Sequence, residues 1–136
     1  MLPGMELESY FHVAIKTEDL DESEAFYREH LGGEVVDRGS AADGEGATAV
    51  DHVALEVADK LIYLFDRAPY EAAGVVEEVP PGVLHFGYVV PDVPAACEEL
   101  REAGVEFVME PETFGDLRIA FFRDPSGVRI ELIEHR

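Results

Sequence analysis

The sequence predicts an α+β fold, a single domain made of two βαβββ modules. Three observations carry this. The chain repeats itself at an offset of 73 residues: Phe11-His-Val-Ala-Ile-Lys-Thr-Glu-Asp-Leu lies over Leu84-His-Phe-Gly-Tyr-Val-Val-Pro-Asp-Val, with Asp19 on Asp92, Arg28 on Arg101 and Glu29 on Glu102. Short apolar runs of strand length alternate with stretches of helical periodicity, in the same order in both halves. A length of 136 residues with 47% apolar side chains suits one core.

The elements follow in chain order. His12 to Ile15 is a short apolar run that reads as a strand. Asp19 then precedes a helical stretch, where its carboxylate can meet free backbone N–H groups. Ala25, Phe26 and Leu31 give that helix an apolar face, and Gly32 or Gly33 ends it. Gly33-Glu-Val-Val begins the next strand and matches Val105-Glu-Phe-Val after a one-residue slip. Residues 39–47 read as a flexible loop. A hairpin follows, His52 to Val57 and Leu61 to Phe65, turning at Ala58-Asp59-Lys60. Pro69, Pro80 and Pro81 mark a connector over about 67–82, between module one (about 8–66) and module two (about 83–134). Module two repeats the pattern: the strand His85 to Val90, the cap Asp92, and a helix with Ala96, Leu100 and Ala103 closed by Gly104. Its hairpin, Ile119 to Arg123 and Val128 to Ile133, turns at Asp124-Pro-Ser-Gly, where Pro presets φ and Gly accepts a positive φ.

Thirty Asp and Glu against ten Lys and Arg give a net charge of −20. Nucleic acid and anionic membrane surfaces are poor partners for such a chain, because phosphate binding needs clustered cations. The acids are dispersed rather than collected in a tail, and only Lys16 and Lys60 are lysines. That pattern points to a salt-adapted, halophilic protein. No apolar run is long enough to span a bilayer. The start, Met1-Leu-Pro-Gly-Met-Glu-Leu-Glu, has no basic region followed by an apolar stretch, so a cytoplasmic location is expected. The single cysteine, Cys97, excludes an intrachain disulfide and any multi-cysteine metal site, and reads as a buried structural thiol.

His12 and His85 occupy equivalent strand positions. A strand histidine is either packed, solvated or a ligand; two at one repeat offset point to a ligand pair, since neutral imidazole is the commonest such donor. Glu131 lies in the last strand between Ile130 and Leu132, where it either faces solvent or joins His85. Two histidines and one carboxylate with open positions suit a redox-capable or Lewis-acid divalent ion. Tyr63 is the equivalent of Glu131 in the first half: a weak ligand, a donor to substrate, or a core aromatic. His52 either lines the site or sits at a turn edge, and His30 favours a helix C-terminus.

The βαβββ repeat, the strand histidines, the Asp-Pro-x-Gly turn and the following Glu131 resemble the vicinal oxygen chelate superfamily over about residues 8–134. That group includes glyoxalase I, methylmalonyl-CoA epimerase, bleomycin-resistance proteins, fosfomycin thiol transferases and extradiol dioxygenases. The resemblance implies a cupped mixed sheet with the helices outside. It implies one divalent ion (Fe, Mn, Zn or Ni) on His12, His85 and Glu131; Glu131 and Tyr63 are the expected catalytic residues, Tyr63 as a departure from the family pattern. It further implies a small oxygen-chelating substrate lined by Phe121, Ile119, His52 and Arg118, and a homodimer. Phe26-Tyr27 is similar to a frequent family pair and reads as core packing. Glyoxalase I and the epimerase carry Glu or Gln at the place of Tyr63, which favours a dioxygenase-like or thiol-transferase-like reaction here. Phe121 stands where the dioxygenases carry Tyr, and Arg118 is the only cation in the stretch comparable to the fosfomycin enzymes' phosphonate pocket. The alternative is a metal-free, ligand-sequestering protein of the bleomycin-resistance type.

Overall fold

A computed structural model describes residues 5–123, 125 and 127–136. The elements run β1 (Ser9–Lys16), α1 (Leu20–Leu31), β2 (Glu34–Gly39), β3 (His52–Val57), β4 (Lys60–Phe65), α2 (Pro69–Ala72), β5 (Gly82–Val89), α3 (Val93–Glu102), β6 (Phe107–Phe114), β7 (Leu117–Arg123) and β8 (Arg129–His135). The chain is α+β and carries the βαβββ order twice. No helix among the described residues is long and apolar enough to cross a membrane.

Two compact units emerge. One is His12–Leu84; the other joins the residues up to Phe11 to His85–Arg136. The boundary cuts β1 and β5 rather than following the connector. The cause is local. Glu8 N–H donates to the Val89 carbonyl, and the Tyr10 ring packs on Phe86 and Tyr88, so the start of β1 belongs with β5.

In the 12–84 unit the strand order is β2-β3-β4-β1. β1 and β4 are parallel, with Ala14 opposite Tyr63, and the other pairs are antiparallel. Helix α1 covers one face: Val53, Leu55 and Leu64 are buried there with Tyr27, Leu20 and Ile15 against them. The second unit has the order β1-β5-β8-β7-β6, with β5 and β8 parallel and Gly87 opposite Glu131. Helix α3 buries Val93, Ala96 and Cys97 against Ala120 and Leu132.

The repeat extends to the caps. The Asp19 carboxylate accepts from Glu22 N–H and the Asp92 carboxylate from Ala95 N–H, both at 3.0 Å. Gly32 closes α1 in the left-handed region at φ 69°, donating to the Tyr27 carbonyl. Cys97 is fully buried, and burial pushes its thiol up to about 11.

Three expectations need correction. Residues 39–47 are not wholly irregular: two short 3-10 turns, Ala41–Asp43 and Gly46–Thr48, fold there, and Ala47 is buried. The connector contains α2, where Pro69 sits at the first turn and Glu71 accepts from Ala68 N–H. Phe26 is 53% exposed; only its neighbour Tyr27 packs into the core, because successive helical residues diverge by about 100°. Asp124 and Ser126 of the second turn lie outside the described residues.

Candidate functional site

Each unit presents a sheet face opposite its helix. In the 12–84 unit, the register puts His12 and Ala14 of β1 on one face with Tyr63 of β4 and His52 of β3. His12 is 2% exposed, and its ring meets Tyr63 edge-on at 4.9 Å between centroids. Tyr63 also stacks on His52 at 5.9 Å and 17°.

His52 has a built position. Val36 is an extra residue in β2, so the register passes from Val35 opposite Leu55 to Asp37 opposite Ala54. This bulge brings Asp37 and Gly39 onto the His52 face. Asp37 Oδ2 lies 3.6 Å from His52 Nε2. Gly39 faces His52 directly, and a Cβ there would overlap the imidazole. The ring therefore lies between Tyr63 and the bare Gly39 backbone. His52 Nδ1 is buried with no hydrogen-bond partner among the described residues.

The other unit has an equivalent arrangement. His85 stands two residues before Gly87, as His12 stands two before Ala14, and Glu131 holds the strand position of Tyr63. His85 is 1% and Glu131 7% exposed, with His85 Nε2 3.5 Å from Glu131 Oε1. Phe121, opposite Glu131, packs edge-on against His85 at 4.7 Å. Burial, helped by the nearby Arg129 charge, pushes His85 down to about 3, so its imidazole is neutral at pH 7. A neutral imidazole beside a carboxylate is the donor chemistry a borderline divalent ion takes, so these residues fit the expected metal.

The structure thus brings His85, Glu131 and Phe121 together in one unit, and His12, Tyr63 and His52 in the other. Ile119 is buried on the Phe121 face. Arg118 is not: strand alternation turns it to the opposite face, where it donates to Thr113 and lies 3.8 Å from Glu134. The cations on the Phe121 and Glu131 face are instead Arg123 and Arg129. Their signal was the even spacing from Phe121 and Glu131, which puts them on the same face.

A family model described as Glyoxalase/Bleomycin resistance protein/Dioxygenase superfamily matches residues 9–132. A Synechocystis protein named "Probable lactoylglutathione lyase" is 30% identical over 128 residues, 90% of this chain and 92% of that protein. The crystal structure of methylmalonyl-CoA epimerase from Mycobacterium tuberculosis is similar at TM-score 0.75 and 30% identity, covering 100% of this chain and 93% of that one. A Streptomyces coelicolor methylmalonyl-CoA epimerase in complex with 2-nitronate-propionyl-CoA follows at TM-score 0.72 and 26% identity, covering 96% and 99%.

Proposed function

Because this chain belongs to the Glyoxalase/Bleomycin resistance protein/Dioxygenase superfamily, we propose that it is a divalent-metal-dependent enzyme in which His12, His85 and Glu131 hold one ion. One observation carries the proposal. The parallel register is the same in both units, so two buried histidines occupy equivalent strand positions, with a buried carboxylate beside one of them. The ion supplies Lewis-acid polarisation of a substrate carbonyl oxygen.

The reaction class we infer is proton transfer next to that carbonyl. A lyase and an epimerase are named among the relatives, which draws the reading away from the dioxygenase-like or thiol-transferase-like expectation. His52 is the group of this chain that supports it. Its ring is fixed by Tyr63 and Gly39, Asp37 lies at one nitrogen, and the other nitrogen is buried with no hydrogen-bond partner among the described residues. An imidazole so held takes a proton from carbon and returns it. Tyr63 carries a phenol where the carboxylate stands in the other unit; a neutral phenol is a hydrogen-bond donor rather than a ligand at pH 7.

Metal content of protein purified without an affinity tag tests the first step. Wild type is expected to hold about one ion per chain, and Glu131→Ala to lose at least tenfold in affinity. Equal metal in both overturns the ligand set; a metal-free chain that still binds small ligands returns the reading to a sequestering protein. Deuterium wash-in from solvent then tests the reaction, with a methylglyoxal–thiol adduct and methylmalonyl-CoA as substrates. His52→Gln and Gly39→Ala should each slow exchange at unchanged metal content. Exchange at the wild-type rate in His52→Gln removes His52 from the reaction.

A further inference from the structure

We infer that Asp37 is the positioning residue of His52: its carboxylate takes the Nε2 proton of the ring, so that Nδ1 is the bare nitrogen that moves the substrate's proton. This rests on the reading of His52 as the proton carrier and names the group that prepares it.

The two side chains lie on different strands, and one extra residue makes them meet. Val35 of β2 stands opposite Leu55, on the face that α1 covers. A regular strand would keep Asp37 on that same face. The bulge at Val36 puts Asp37 opposite Ala54 instead, and Gly39 opposite His52. Val36 itself is left 54% exposed, so burial of its own side chain does not explain the bulge. The slip also turns Arg38 toward α1, where its guanidinium donates to both oxygens of the buried Glu24 at 2.7 and 2.6 Å. That pair accounts for the bulge but not for Gly39. The first atoms a Cβ at Gly39 would meet all belong to the His52 ring. Asp37 thus sits two residues from a glycine cut to fit the imidazole, beside a neighbour anchored to the helix.

Asp37 Oδ2 stands 3.6 Å from His52 Nε2, slightly beyond a hydrogen bond, and the Asp37 side chain is 60% exposed. Such a pair adds little to stability. Its effect is on the ring. A neutral imidazole carries one proton, and a carboxylate at one nitrogen decides which nitrogen carries it. The same carboxylate stabilises the imidazolium that forms when the other nitrogen takes a proton, and the contact tightens as that charge develops. Tyr63 holds the ring by its face, at 17° between planes. Nδ1 is buried with no hydrogen-bond partner among the described residues, so no group there competes for its lone pair.

The test has two arms. The first is nitrogen NMR of the metal-free protein carrying isotope-labelled histidine, at about pH 8.5, where an ordinary imidazole is neutral. The His52 signals are assigned by their loss in His52→Gln. Wild type should carry the proton on Nε2 alone, Asp37→Ala should populate both tautomers, and Asp37→Glu should restore the single one. The second arm is deuterium wash-in by the metal-loaded protein, with the methylglyoxal–thiol adduct and methylmalonyl-CoA. Asp37→Ala should lower kcat about tenfold with KM within twofold and metal content unchanged, and Asp37→Glu should recover part of the loss. A His52 tautomer identical in wild type and Asp37→Ala overturns the proposal. An unchanged kcat in Asp37→Ala, with slow exchange in His52→Gln, also overturns it and leaves His52 as the carrier. Exchange at the wild-type rate in His52→Gln overturns the carrier reading and this one together. Where wild type exchanges neither compound, the tautomer arm decides alone.

Discussion

Glu24 shows how one buried acid is tolerated in a chain of this charge. It is 8% exposed on α1 and accepts two hydrogen bonds from the Arg38 guanidinium, at 2.7 and 2.6 Å, with Arg28 one turn on. The Arg38 bonds hold its carboxyl below the ordinary value against the opposing effect of burial. A depressed carboxyl contributes stability that is present above the unfolded pKa and is lost as pH falls through the folded one. Glu24→Gln should therefore cost about 1 kcal/mol at pH 7, measured by denaturant unfolding, because Arg38 is itself largely exposed. The difference from wild type should shrink as pH drops below about 4. A cost that stays constant down to pH 3 would assign it to packing. At this scale the sequence was informative where the repeat was: it puts His12 and His85 at equivalent strand positions, and both side chains are buried there. Asp37 and Gly39 were not legible, because a single extra residue, Val36, reverses which side chains of β2 share a face with His52. No periodicity in the chain announces that bulge.

Secondary-structure elements were legible wherever a local signal had a mechanism. Both aspartate caps, the Gly32 stop and both hairpins lie at or within a residue or two of their sequence signals. Helix α2 was missed because its stability is not local. The Glu71 carboxylate accepts from Ala68 N–H, Val79 N–H and the Lys16 ammonium, which also donates to the Val79 carbonyl. Lys16 is 55 residues from Glu71 in sequence and only 9% exposed. The β3–β4 turn carries a local cost instead. Ala58 has φ 55°, a region a Cβ disfavours by roughly 1–2 kcal/mol. Ala58→Gly should relieve part of this and stabilise the protein by about 0.5–1 kcal/mol, a rise of a few degrees in melting temperature. A drop in melting temperature would mean that the added chain entropy outweighs the relief.

For the whole molecule, charge dominates. Net −20 over a chain of this size gives self-repulsion, screened over about 10 Å at 0.1 M salt. The melting temperature should climb steadily from low to molar KCl; a flat or falling curve removes the halophilic reading. We also expect a homodimer by light scattering at high salt. Mixing His12→Ala with His85→Ala chains reads its construction through metal content. Recovery of one site per dimer means that two chains share each site, no recovery means that each chain builds its own, and a monomer rejects the dimer. The division of the chain into units has a consequence for how the protein comes off the ribosome. The 12–84 unit can close as soon as Leu84 has emerged, but the earlier Tyr10 and Phe11 belong with residues from His85 onward. Ser9, Tyr10 and Phe11 of β1 thus stay idle on the nascent chain until residues beyond Leu84 have emerged, a short aromatic-bearing stub that a nascent-chain chaperone is suited to shield.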